Sequence, residues 1–316
     1  MGLNKDQQLL LEVMRRDNQQ AGSPFSPAAY WQQETRSFDS FFSQTGINDV
    51  ENEYYNTRFH GTQPDDPQLY RWFFWTYYQL VKARDSLGLL DRLKPTLTPN
   101  PGQQVWIGEK KIQFSEPVKF GEIALSPDLL FTINDFYNLH ELNPRIATDE
   151  LIVADLGAGW GRLGHLLLQV NPKIHYVILD IPESLLISSS YLPVLLPHAS
   201  RSSYMATRAM DAFDRETFKG ATLWFLATQD LQRFRTSSVD FMVNIASFQE
   251  MPAADINRYL EIFDTAALGA HAYFRNGWSG KMSRFDEYRI PEYWTSVFFR
   301  PTSFSHDFYE AGYLIT

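Results

Sequence analysis

The 316-residue chain contains no cysteine. That excludes disulfides, thiolate zinc sites and a cysteine nucleophile, and it fits a reducing compartment, the cytoplasm being the default. Basic runs are also missing. There are 28 Lys and Arg against 37 Asp and Glu, a formal charge of -9, and no dense cluster supplies the positive footprint that nucleic acid or an anionic membrane requires. Long apolar runs are equally scarce. The most apolar late stretch, LLISSSYLPVLLP at 185–197, is short and broken by serines and prolines, so nothing is expected to span a bilayer. The opening MGLNKDQQLLLEVMRRDNQQ has charges on both sides of a three-leucine patch and lacks a signal-peptide core, and Asp6 breaks the myristoylation pattern. No His-x-x-x-His pair or dense carboxylate cluster marks a metal site, so none is expected. The expectation is a cytoplasmic protein with small-molecule partners, without nucleic acid or membrane.

What is present is a large apolar fraction, 44%, enough to bury a sizeable core. Residues 1–148 read as a helical N-terminal region and 149–316 as a separate domain. In the first, QLYRWFFWTYYQLVKARDSLGLLDRL at 68–93 repeats large apolar side chains at three- and four-residue steps, the period of a helix. Its aromatic density suits core or subunit packing, including a homodimer, and the other reading is a surface that stacks on sugars or bases. KPTLTPNPGQQVWIGEKK at 94–111 reads as a loop or short hairpin and a candidate hinge. A helix is expected over 126–144, with Ser126 as N-cap and Pro127 at its first position.

From Leu151 onward strand and helix patterns alternate, the signature of a parallel sheet with helices on its faces. Strands are expected at 151–156, 174–180, 222–228, 239–245 and 270–276, with an antiparallel pair in 296–316. The stretch 192–220 is long for a crossover, and two readings stay open, a lid or a surface insertion.

LIVADLGAGWGRLGHLLLQV at 151–170 reads as a buried strand, a turn carrying Gly157, Gly159 and Gly161, and a helix beginning near Arg162. Gly159, Gly161 and Gly164 satisfy the G-x-G-x-x-G spacing of a dinucleotide site, so a nicotinamide-dependent oxidoreductase with Asp180 on the adenosine ribose is one alternative. The compact D-x-G-x-G-x-G series from Asp155 accounts for more residues together.

That series, DLGAGWGRLG, resembles the first motif of class I S-adenosylmethionine (SAM)-dependent methyltransferases. The resemblance implies a Rossmann-like α/β fold, a mostly parallel sheet with an antiparallel C-terminal strand, and SAM as cofactor. It further implies that Asp180, in YVILDIPESL, binds the ribose hydroxyls, a pairing that charge-assisted hydrogen bonds make strong. Asp155 would sit beneath the glycine turn and reach the methionine ammonium through water, and Ile181 joins the cofactor-binding set. In ATQDLQ, Asp230 would meet the adenine amino group with Leu231 against the ring, the competing role for Asp230 being a helix N-cap.

The acceptor is expected beyond the ends of the fourth and fifth strands, where open α/β sheets bind ligands. Ser247, Gln249 and Glu250 leave the fourth strand, and Arg275, Asn276 and Trp278 leave the fifth. Glu250 is the first choice for a general base or hydroxyl-orienting group, against a plain acidic helix start. Ser247, Gln249 and Asn276 are candidate acceptor contacts, although asparagine before glycine is also a turn signal. Trp278 offers a flat face to a sugar ring, or simply packs. His165, His175 and His271 read as structural. VNIASFQEMP and LDIPESLLISSSYL, with the helical N-terminal region, resemble the sugar O-methyltransferases of bacterial polysaccharide and glycosylated-metabolite enzymes. That implies a sugar, glycoside or nucleotide-sugar acceptor. The alternatives are an aromatic or carbon acceptor of natural-product biosynthesis, the oxidoreductase above, and a catalytically silent scaffold.

Overall fold

The computed structural model describes residue 3, residues 5–21 and 67–92, four short strands between 104 and 125, and 127–316 apart from 281 and 304. The expected N-cap Ser126 and the stretch 94–103 lie outside the described residues. The chain forms two compact units, one of Met1–Gln7 with Ser37–Tyr137 and one of Gln8–Arg36 with Asn138–Thr316.

In the first unit, helix α2 (Pro67–Arg84; α1 is described below) buries Tyr77, Tyr78 and Val81 and leaves Trp75 and Leu80 exposed. Asp85 ends it: its carboxylate accepts the N–H groups of Leu89 at 2.6 Å and Leu90 at 2.9 Å and the Tyr137 hydroxyl at 2.6 Å. Helix termini need such partners for their orphan backbone groups. Strands β1 (Gln104–Ile107) and β2 (Lys110–Gln113) pair antiparallel, as do β3 (Val118–Phe120) and β4 (Ile123–Leu125). Within the stretch 94–111, read as a loop or short hairpin, β1 thus pairs with the start of β2. Helix α3 (Pro127–Leu142) follows.

The second unit is built on one eight-stranded sheet. Its strands are β5 (Ile152–Leu156), β6 (His175–Asp180), β7 (Arg201–Ser202), β8 (Leu223–Ala227), β9 (Phe241–Ile245), β10 (His271–Gly277), β11 (Thr295–Pro301) and β12 (Phe308–Leu314). Across the sheet they run β11-β12-β10-β9-β5-β6-β8-β7. β5 to β10 are parallel, whereas β12 is antiparallel to β10 and β11 to β12. β5 and β8 are buried along their whole length, as expected of parallel strands covered on both faces. The helices of this unit are most of α1 (Lys5–Ala21), the end of α3, α4 (Arg162–Val170), α5 (Pro182–Leu195), the short α6 (Tyr204–Thr207) and α7 (Arg215–Phe218), and α8 (Ala253–Ala266). Among the described residues no helix is long and apolar enough to cross a membrane.

The stretch 192–220 is a packed extension of the sheet. It supplies the end of α5, edge strand β7 and the short helices α6 and α7. Phe213 and Phe218 stack at 5.5 Å and meet Trp224 and Phe234 edge-on. Such aromatic clusters tie a segment to the core.

Candidate functional site

The order of the strands sets the site. The chain moves outward from β5 through β6 to β8 on one side, and through β9 to β10 on the other. The reversal lies between β5 and β9, and open sheets bind ligands at the C-terminal strand ends beside such a switch point. In register, Leu156 lies beside Leu179, Asp180 beside Ala227, and Arg275 beside Ile245. This brings the glycine turn, Asp180, Asp230 and the loops after β9 and β10 to one edge.

Gly157, Gly159 and Gly161 have φ of 75°, 60° and 86°, a left-handed conformation that residues with a Cβ adopt at a cost. A Cβ on Gly157 would also lie 2.3 Å from the Ser247 Oγ, and one on Gly161 2.4 Å from Leu192 Cδ1. Their N–H groups are spent inside the turn: Gly157 donates to the Leu179 carbonyl at 2.8 Å, Gly159 to Asp180 Oδ2 at 2.7 Å, and Gly161 to the Ala158 carbonyl at 3.0 Å. A dinucleotide pyrophosphate needs these donors, and it would face buried carboxyls. The oxidoreductase alternative is set aside on that ground. Gly164 carries no Cβ because one would lie 2.3 Å from the Tyr176 ring, so it serves the close packing of α4 on β6.

Asp180 is a buried carboxyl of the edge. Burial pushes it up to about 7, against the pull of the Ile181 and Gly159 N–H groups, with Asp155 adding like charge. Ile181 donates to Oδ1 at 2.7 Å, and the Ser184 side chain bonds the same carboxyl, which together with Gly159 orients it. Ile181 itself is buried. Asp155 is buried and accepts the Tyr176 hydroxyl. Burial, then the charge of Asp155, holds the Tyr176 phenol well above its ordinary range, so it remains a donor to that carboxylate. Glu183 is buried and ion-paired with Arg15 at 2.7 Å.

Asp230 lies in the 3-10 turn Thr228–Arg233, where it accepts the Ala227 N–H at 3.0 Å and pairs with Arg233 at 2.5 Å. Asp230 is thus not the N-cap, which is Ala227, but the third residue of the turn, whose side chain reaches back to the N-cap N–H. Leu231 is fully buried in the core cluster.

The loop after β9 is held by side-chain amides. Asn276 Oδ1 accepts the N–H groups of Ser247 at 3.0 Å and Phe248 at 3.1 Å, and its Nδ2 donates to Asn244 Oδ1 at 3.0 Å. Asn244 Nδ2 donates to the Leu156 carbonyl at 2.7 Å and to the Ser247 Oγ at 2.6 Å. Gln249 donates to the Ala246 carbonyl at 3.0 Å and accepts the Gly277 N–H at 3.2 Å. Ala246 has φ of 55°, a left-handed non-glycine residue that persists where its surroundings over-determine it. Ser247, Gln249 and Asn276 therefore brace loops in this structure. Glu250 ends the 3-10 turn Phe248–Glu250, half-buried at the same edge.

Trp278 follows β10 and packs in an aromatic group with Tyr309 at 5.1 Å, Phe299 at 5.5 Å and Phe285 at 5.7 Å. Arg275 is fully buried. The histidines stand apart from the edge chemistry. Burial drives His165 down to about 4, which keeps it neutral, and also lowers His271, while His175 Nδ1 bonds the Ala221 carbonyl at 2.8 Å. Among the described residues no group of three His, Cys, Asp or Glu side chains is placed to hold a metal ion.

Sequence reasoning missed Tyr176, Asn244, Glu183 and the contacts of α1. Tyr176 and Asn244 were visible as lone polar groups inside otherwise apolar strands. Nothing in the sequence marks Arg15 as the partner of Glu183.

No protein-family model matches the chain, and no curated protein does. Solved structures are similar to it. The pyocyanin biosynthetic protein PhzM is 14% identical over 60% of this chain and 57% of its own, with a TM-score of 0.38. A SAM-dependent methyltransferase from Aquifex aeolicus is 15% identical over 63% of this chain and 100% of its own, TM-score 0.39. The PH0226 protein from Pyrococcus horikoshii is 11% identical over 60% and 90%, TM-score 0.42. The chain thus spans 57% of the length of PhzM. The topology itself, parallel from β5 to β10 with β12 inserted antiparallel beside β10, is a doubly wound α/β, Rossmann-like fold.

Proposed function

We propose that the protein is a SAM-dependent O-methyltransferase with a small-molecule acceptor. The observation that carries this reading is the closed glycine turn against a buried carboxylate, Asp180, whose oxygens are oriented by Gly159 and Ile181. Such a carboxylate suits vicinal ribose hydroxyls, and the neighbouring carboxyl of Asp155 suits a cationic ligand better than an anionic one. Bound there, SAM supplies a methyl group made electrophilic by its sulfonium. Asp180 holds the ribose, Asp155 orients the turn and faces the methionine ammonium, and Gly157, Gly159 and Gly161 allow close backbone approach. Ile181, Asp230 and Leu231 flank the adenine. Glu250 would accept the proton of the acceptor hydroxyl, and Trp278 would lie against the acceptor ring, S-adenosylhomocysteine being the product left at the donor site.

The leading acceptor class is a sugar or glycoside hydroxyl. The second reading, an aromatic acceptor, is favoured by two features: Ser247, Gln249 and Asn276 spend their hydrogen bonds on loops, and Trp278 stands among Phe285, Phe299 and Tyr309. Planar rings gain from such surroundings. Labelled methyl transfer from SAM to nucleotide sugars, glycosides and phenols, with and without a chelator, tests both. Label on a sugar supports the first reading, label only on phenols the second, and no label on any acceptor removes the activity.

A further inference from the structure

Helix α1 (Lys5–Ala21) precedes β5 by more than a hundred residues, yet from Gln8 onward it belongs to the compact unit that contains the sheet. Leu11, Met14 and Asn18 follow each other at helical steps and are buried. Polar side chains of α1 reach three segments at the C-terminal edge. Arg15 Nε pairs with Glu183 at 2.7 Å, three residues beyond Asp180. Asn18 Nδ2 donates to Gln229 at 2.9 Å, beside Asp230. Asp17 accepts the Tyr204 hydroxyl at 3.1 Å and pairs with the Arg208 guanidinium, both on the insertion that carries β7. α1 therefore spans from the loop after β6 to the loop after β8.

Those two loops flank the adenosine in the donor-site reading above, on which this inference rests. We propose that α1 is the roof of that site and that donor binding is coupled to its docking, with Arg15 and Asn18 as positioning residues. Among the described residues the buried apolar side chains of α1 are Leu11 and Met14, and its polar contacts reach the ligand-flanking loops. Elements with few buried apolar contacts open locally at low cost, and a ligand that binds the docked form stabilises it by mass action. The donor then enters and leaves by way of an undocked α1, while the acceptor, proposed at the ends of β9 and β10, does not use that route.

The test is hydrogen exchange of the full chain with S-adenosylhomocysteine, read together with calorimetric binding of the same ligand. Saturating ligand should slow exchange across 8–21 about tenfold, along with the turn at 157–161. Arg15→Ala and Asn18→Ala should each weaken binding about fivefold by raising the dissociation rate, as expected when docking favours the bound state. Arg258→Ala, which removes an exposed pair with Glu261, should leave binding unchanged. Asn18→Ala keeps the test open if Arg15→Ala, which strands the buried Glu183 carboxylate, fails to fold. Ligand binding that protects 157–161 but not 8–21 overturns the coupling and leaves the donor site standing. No binding to the intact chain overturns the donor site itself, and the coupling with it.

Discussion

The two halves of the edge are fixed by different means. On the β5–β6 side the turn is backbone: glycines at positive φ, with N–H groups delivered to a carbonyl or a carboxylate. On the β9–β10 side the loop is held by the Asn244, Asn276 and Gln249 amides, which force Ala246 into a glycine-like conformation. The first arrangement depends on residue types that few alternatives can replace, and keeps the carboxyls of Asp155 and Asp180 buried beside it. The second depends on partners about thirty residues apart and consumes the polar groups of its own loops. Under the proposed function, the difference makes donor recognition a property of the turn and leaves acceptor recognition to Glu250 and the aromatic wall.

The sharpest way to break that division is Glu250→Gln. As a general base its loss lowers turnover by about a hundredfold or more, while donor affinity stays within about twofold because the residue belongs to the other half. Single-turnover methyl transfer and calorimetric donor binding, measured on the same variant, separate the two. A loss of donor binding moves Glu250 into the donor pocket. Next in size is Asn276→Leu, which takes the acceptor from the Ser247 N–H while the Phe248 N–H keeps Asn244 Oδ1 at 3.2 Å, and should cost about 1–3 kcal/mol in urea unfolding. A cost near zero would mean that the amide network is ornamental to the loop. Asp180→Ala should weaken donor binding by about thirtyfold, the worth of one or two charge-assisted hydrogen bonds. Unchanged affinity removes the central assignment of the donor half.

The same contrast explains what the sequence made legible. The strands were readable because β5, β6, β8, β9 and β10 are mostly apolar runs bounded by turn residues, and Asp180 was readable because it ends one of them. The glycine turn was readable because glycine is required where φ is positive. Ala246 breaks that rule, so its turn was invisible. Asn276 was read as facing a ligand, since a sequence shows that an amide is present but not that Ser247 and Phe248 reach it first. α1 was grouped with the N-terminal region because nothing local ties Arg15 to Glu183, 168 residues away. The stretch 192–220 looked loose because its apolar residues are spread thinly, Phe213 and Phe218 becoming core only once Trp224 and Phe234 are beside them.

The smallest predicted effect is graded rather than all-or-none, and it bears on the donor half alone. Burial raises Asp180 to about 7, from an unfolded value near 3.8. A carboxyl whose folded pKa is raised adds stability that is complete below the unfolded value and is lost as pH rises through the folded one. Unfolding of the ligand-free protein should therefore grow easier between pH 4 and 7 by this group's share, and change no further above that. Donor affinity should run the other way. Only the ionised carboxylate accepts both ribose hydroxyls, so affinity falls as pH drops below 7, approaching tenfold per unit at most. In Asp180→Asn both slopes should flatten, because the amide does not titrate. Parallel slopes in the wild type, or an affinity that ignores pH, would mean that Asp180 anchors the glycine turn without carrying the ligand.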